Sequence, residues 1–140
     1  MSAVVTEVYG LLGRFLTERL TGQPDARTEL RAYITGVVEF IAEHRTQMQA
    51  LMSIFLNFRD GDGAGSYDPA DDRTAVGRVQ AILRKGQADG EFRDFDTFVM
   101  AATIQRSLDG LPFLLQSAAG LDLPGYAREL TTLFDLATRA

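Results

Sequence analysis

Apolar residues recur along most of this chain at intervals of three and four, the signature of helices with a buried face. Val4, Val8, Leu11, Leu12 and Phe15 make one such stripe, and Val5, Tyr9, Leu16 and Leu20 lie beside it. A helix apolar over so wide an arc needs cover on more than one side. Thr21-Gly22-Gln23-Pro24 stops it, because glycine suits a C-terminal cap and proline cannot continue a helix.

Pro24 and Asp25 open a second helix, with a fixed φ and a carboxylate in its first turn. Its stripe is Leu30, Tyr33, Ile34, Val37, Val38 and Ile41. Glu43-His44-Arg45 marks a bend, and a third helix follows with Met48, Leu51, Met52, Phe55 and Phe58 on one side. The glycine- and aspartate-rich stretch Asp60 to Asp72, with Pro69 inside it, predicts a long loop.

A fourth helix is expected from about Arg73, with Val76, Val79, Ile82 and Leu83 inward and an end near Gly86 to Gly90. Glu91-Phe92-Arg93-Asp94-Phe95-Asp96 reads as a compact turn, with Asp94 as the N-cap of a fifth helix and Asp96 near its positive end. That helix carries Val99, Ala102, Ile104, Leu108, Leu111, Leu114 and Leu115. Pro112 clashes with the carbonyl of Leu108 and removes a bond, so a kink or short break is predicted around Gly110 to Pro112. Leu121-Asp122-Leu123-Pro124 introduces a last helix, with Tyr126, Leu130, Leu133, Phe134 and Ala137 on its face. The pattern predicts an all-α bundle of about six helices in one domain over residues 1–140.

Composition changes this picture mainly by exclusion. The chain has no cysteine and a single histidine, His44, so a structural zinc site and a thiolate nucleophile are both ruled out. A Ser-His-Asp triad would also have to use His44, and no nucleophile-elbow pattern marks a serine. Counted as a calcium loop, Asp60 to Asp71 has carboxylates at the first, third, ninth and twelfth places, but Ala64, the short Asp71 and Pro69 break the pattern. Neither a Walker loop nor a dinucleotide glycine fingerprint occurs. The expectation is a protein without catalysis, cofactor or metal.

The net charge is −5, Lys85 is the one lysine, and the arginines are scattered, so these residues alone should bind nucleic acid poorly. Apolar runs are too short and interrupted to span a bilayer, and the N-terminus lacks a signal-peptide layout. A cytoplasmic protein with no membrane partner is expected.

Three features carry functional expectations. Aromatic and methionine residues on the early helices, Tyr9, Phe15, Tyr33, Phe40, Met48, Met52, Phe55 and Phe58, suit either plain core packing or a pocket for an apolar small molecule. Arg106 sits mid-helix among polar neighbours, where it could fix an anionic or carbonyl group, pair with an acid such as Asp109 or lie at an interface rim. Ile104-Leu108-Leu111-Leu115 and Tyr126-Leu130-Phe134 are generous apolar faces, able to dock on symmetry mates as a four-helix interface or to be consumed within the monomer.

The order of these segments resembles the C-terminal domain of TetR-family transcriptional regulators. The resemblance rests on Leu30-Arg31-Ala32-Tyr33-Ile34 leading to Val38-Glu39-Phe40-Ile41-Ala42-Glu43-His44-Arg45. It continues through Ile82-Leu83-Arg84-Lys85-Gly86-Gln87-Ala88-Asp89-Gly90-Glu91-Phe92-Arg93-Asp94-Phe95-Asp96 and Leu108-Asp109-Gly110-Leu111. It implies an effector pocket, a homodimer made by the last two long helices, and operator release when the effector shifts the separation of two DNA-reading heads. The implied ligand-binding residues are Tyr33, Phe40, Met48, Met52, Phe55, Ile82, Arg106 and Phe113. DNA binding would belong to an N-terminal helix-turn-helix domain that these residues do not include. The alternative is a ligand-free helical dimerisation module, distinguished by whether a cavity of about 300 Å³ opens among the first five helices.

Overall fold

The computed structural model describes residues 3–57 and 69–140, apart from the side chains of 4, 55–57 and 69. Most of the Asp60 to Asp71 stretch, and Phe58 with it, lies outside the described residues. Seven helices are present among those described: α1 (Ala3–Leu20), α2 (Ala26–Glu43), α3 (Arg45–Asn57), α4 (Pro69–Ala88), α5 (Thr97–Asp109), α6 (Leu111–Ser117) and α7 (Leu123–Thr138). No strand occurs among them, only an isolated bridge between Phe92 and Arg139.

The seventh helix comes from the break foreseen at Gly110 to Pro112. Gly110 closes α5, its N–H donating to the Arg106 carbonyl, and Pro112 then sits in the first turn of α6, where a missing N–H costs nothing. Two boundaries differ from the sequence expectation. Pro69 is the first residue of α4, not part of a loop, and Asp71 and Asp72 fill the first turn where the helix dipole favours carboxylates. Asp96, not Asp94, caps α5: its carboxylate accepts from the Val99 N–H at 3.0 Å. The expectation of Asp94 as the cap fails because the path of the turn, not the residue type, sets which aspartate meets the first N–H groups.

Helix α2 is the axis of the fold. It touches α1, α3, α4, α5 and α7, and it is buried from Ala26 to Ile41 on most of its circumference. Asp25 starts it, accepting from the Thr28 N–H at 2.8 Å, and that bond holds the Asp25 carboxyl below its usual range. At its far end His44 stacks on Phe40 with ring centroids 4.0 Å apart, and its Nδ1–H donates to the Phe40 carbonyl, which completes the bend into α3. Gly22, after α1, holds the left-handed φ of +82° that a side chain would resist.

The turn from 89 to 96 locks three helices together. The Gly86 carbonyl accepts from the N–H groups of Glu91 and Phe92, and Gln87 donates to the carbonyls of Arg93 and Phe95. The Glu91 carboxylate accepts from the N–H groups of Ala26 and Arg27 at the start of α2. Arg93 donates from its backbone to Thr138 and from Nε to Ala137, tying the turn to the end of α7. Phe92 reaches this position because Gly86 has no side chain; a Cβ there would lie 2.1 Å from the Phe92 ring.

Candidate functional site

The residues expected to line a pocket fall into two groups. Tyr33, Phe40, Met48, Met52 and Ile82 are buried in the core between the helices. Arg106 and Phe113 lie at the surface, and the side chain of Phe55 lies outside the described residues. A small hollow lies elsewhere, between α2 and α7 against Leu30, Ile34, Phe92 and Phe134. At about 10 Å³ it has room for a single water.

The polar centre of the buried group is Tyr33. Its hydroxyl, wholly shielded from solvent, donates to Gln105 Oε1 at 2.5 Å, and Gln105 Nε2 donates to Asp109 at 2.8 Å. A buried pair of this kind contributes about 1 kcal/mol when made and costs more when half-broken. Burial pushes the Tyr33 hydroxyl up to about 12, so it is a neutral donor at any physiological pH. The charge of Arg78 on α4 opposes that rise.

Arg106 pairs with acids. It forks onto both oxygens of Asp72 at 2.7 Å each and onto Asp109 at 2.7 Å. Those bonds, Asp72 first, hold its guanidinium more firmly protonated than usual. With its side chain about half exposed, the pairing is a surface clamp of about 0–1 kcal/mol between the start of α4 and the end of α5. Sequence reasoning foresaw Asp109 but not Asp72 or Gln105. The i, i+4 spacing of Gln105 and Asp109 was a local signal, whereas Asp72 depends on how α4 crosses α5.

The residues expected at a dimer interface also divide. Ile104, Leu108, Leu111 and Phe134 are buried inside the subunit, and Leu115, Tyr126 and Leu130 are partly buried against the core. The apolar surface that α5 and α7 leave in solvent is made by Phe98, Val99, Leu133 and Leu136, each more than half exposed. The Arg93 bonds to Ala137 and Thr138 tie the turn that leads into α5 to the end of α7. Phe113 and Leu114 of α6 add further exposed apolar area. Among the described residues no cluster of His, Cys, Asp or Glu could hold a metal ion, and no helix is long and apolar enough to cross a membrane.

Solved structures share this arrangement of helices. A regulatory protein in the TetR family from Rhodococcus RHA1 superposes with a TM-score of 0.74 at 18% identity, over 94% of this chain and 68% of that one. The fold is that of TetR-family regulators. The ketosteroid transcriptional regulator KstR2 of Mycobacterium tuberculosis shares the TetR fold at a TM-score of 0.74 and 11% identity, over 95% of this chain and 68% of its own. A protein with unknown function from Rhodococcus sp. RHA1 matches at 0.76 and 15% identity, over 99% of this chain and 72% of that one. No family model and no curated protein matches the sequence, so the likeness to TetR regulators is one of fold.

Proposed function

We propose that this chain is the dimer-forming, effector-sensing domain of a TetR-like transcriptional regulator. In this reading a small, mostly apolar effector controls operator binding by a helix-turn-helix domain outside these residues. The observation that carries the dimer is the apolar surface on α5 and α7: Phe98, Val99, Leu133 and Leu136 stand in solvent on helices whose other side is fully packed. Large apolar side chains left in solvent on two helices that also pack the core suit a contact surface. The effector part is supported by the fold shared with transcriptional regulators and by the methionines in the core, which repack readily around a guest.

Light scattering at micromolar concentration tests the dimer. A mass of about twice the 15.4 kDa monomer is expected, returning to the monomer value in Leu133→Asp/Leu136→Asp. A clean wild-type monomer would remove the interface and leave only the fold. The second reading is a dimerisation module without an effector, and binding of apolar molecules to the chain decides against it.

A further inference from the structure

Five hydrogen bonds run in one line from the buried centre to the surface, across three helices. Tyr33 on α2 donates to Gln105 Oε1 at 2.5 Å, and Gln105 Nε2 donates to Asp109 Oδ1 at 2.8 Å. Arg106 donates to the other oxygen of Asp109 at 2.7 Å and forks onto both oxygens of Asp72 on α4 at 2.7 Å each. Every group in the line has one role. Tyr33 is the donor, so the Gln105 amide turns its oxygen inward and its nitrogen toward Asp109. Asp109 in turn divides its two oxygens between Gln105 and Arg106. Bonds placed in series with a fixed donor order strengthen one another, and losing the inner one loosens the rest.

The outer end of this line meets the least anchored part of α4. None of residues 70–75 is buried, whereas Val76, Val79, Ile82 and Leu83 fix the following turns in the core. Gln80 donates to Thr97 at 3.0 Å and pins that later part to the start of α5. The first turns are tied to the end of α5 by the Arg106 fork on Asp72, a surface pair that is weak by itself. A helix end with few buried side chains opens locally at small cost, so a modest change in what holds it alters how often it opens.

We propose that the line from Tyr33 to Asp72 is a built-in coupling, through which the Tyr33 bond in the core controls the local opening of the first turns of α4. When the Tyr33 hydroxyl leaves Gln105, the amide is free to turn and Asp109 loses a donor. Arg106 is then drawn from Asp72 toward the Asp109 oxygen left without a partner. The first turns of α4 separate from α5, while the buried length from Val79 to Leu83 stays in place. The coupling answers to any disturbance of the core at Tyr33, so it stands or falls apart from the effector reading.

Amide hydrogen exchange of the 140-residue chain, resolved by residue with NMR, tests this as a double-mutant cycle. Tyr33→Phe and Arg106→Gln are each expected to speed exchange of the amides from Arg73 to Gly77 by about fivefold, the equivalent of one hydrogen bond. In Tyr33→Phe/Arg106→Gln the rate should match the faster single variant, not the product of the two effects. Ile34→Val trims the same helix on its α7 side and should leave these amides unchanged, because local opening does not follow overall stability. Unchanged exchange in either single variant, or effects that multiply in the double variant, would overturn the coupling. The same speeding in Ile34→Val would mark a general loosening of the core and overturn it as well.

Discussion

The inward and outward sides of α5 and α7 are built from the same residue types and have opposite fates. Inward, Ile104, Leu108 and Phe134 are buried inside one subunit; outward, Phe98, Val99, Leu133 and Leu136 stand in solvent, as apolar as their neighbours. Burial in the subunit stabilises the fold at any concentration, whereas an outward side chain contributes only when something covers it. Apolar character therefore does not by itself say which job a helix face has. The companion case is Arg106: singled out from sequence for its polar neighbours, it is held by only one of them, Asp109, and by both oxygens of Asp72 on α4.

The sharpest break between the two sides should come from truncating each. Leu108→Ala leaves a hole in the interior and is expected to lower unfolding free energy by about 2–5 kcal/mol, measured by urea denaturation and unchanged by dilution. By contrast, Leu133→Asp should alter monomer stability by no more than about 0.5 kcal/mol while weakening self-association. If Leu133→Asp unfolds the chain even when dilute, the outward side belongs to the core after all.

Next in size is Gly86→Ala. The added methyl meets the Phe92 ring, buried between α4, α2 and α7, so about 1–3 kcal/mol should be lost in thermal or chemical melts. Since that turn also ties the approach to α5 to the end of α7, the variant should impair self-association too, which Leu108→Ala at folding temperatures should not. Smallest is Tyr33→Phe, which removes the hydroxyl and leaves Gln105 Oε1 without its donor; a loss of about 1–2 kcal/mol is expected. The raised Tyr33 value gives a signed check. Its neutral form is the folded one, so the Tyr33 contribution is present below the ordinary phenol value of about 10 and fades as pH rises through about 12. In Tyr33→Phe this alkaline component should be missing from the stability profile.

Periodicity alone determined the helical class, the stripes of α1, α2 and α4, the stop at Gly22 and the break at Gly110, because each depends on residues within a few turns of one another. The resemblance drawn from Ile82 to Asp96 pointed to the TetR fold, and that same segment proves to be the knot joining α2, α4 and α7. Tertiary structure decided the rest. Which aspartate caps α5, whether Val99 and Leu133 face in or out and which acids meet Arg106 all depend on the crossing of helices far apart in sequence. A stripe fixes a helix's apolar side to within a residue or so. The packing of a second helix then selects, from a wide stripe, the part that is covered.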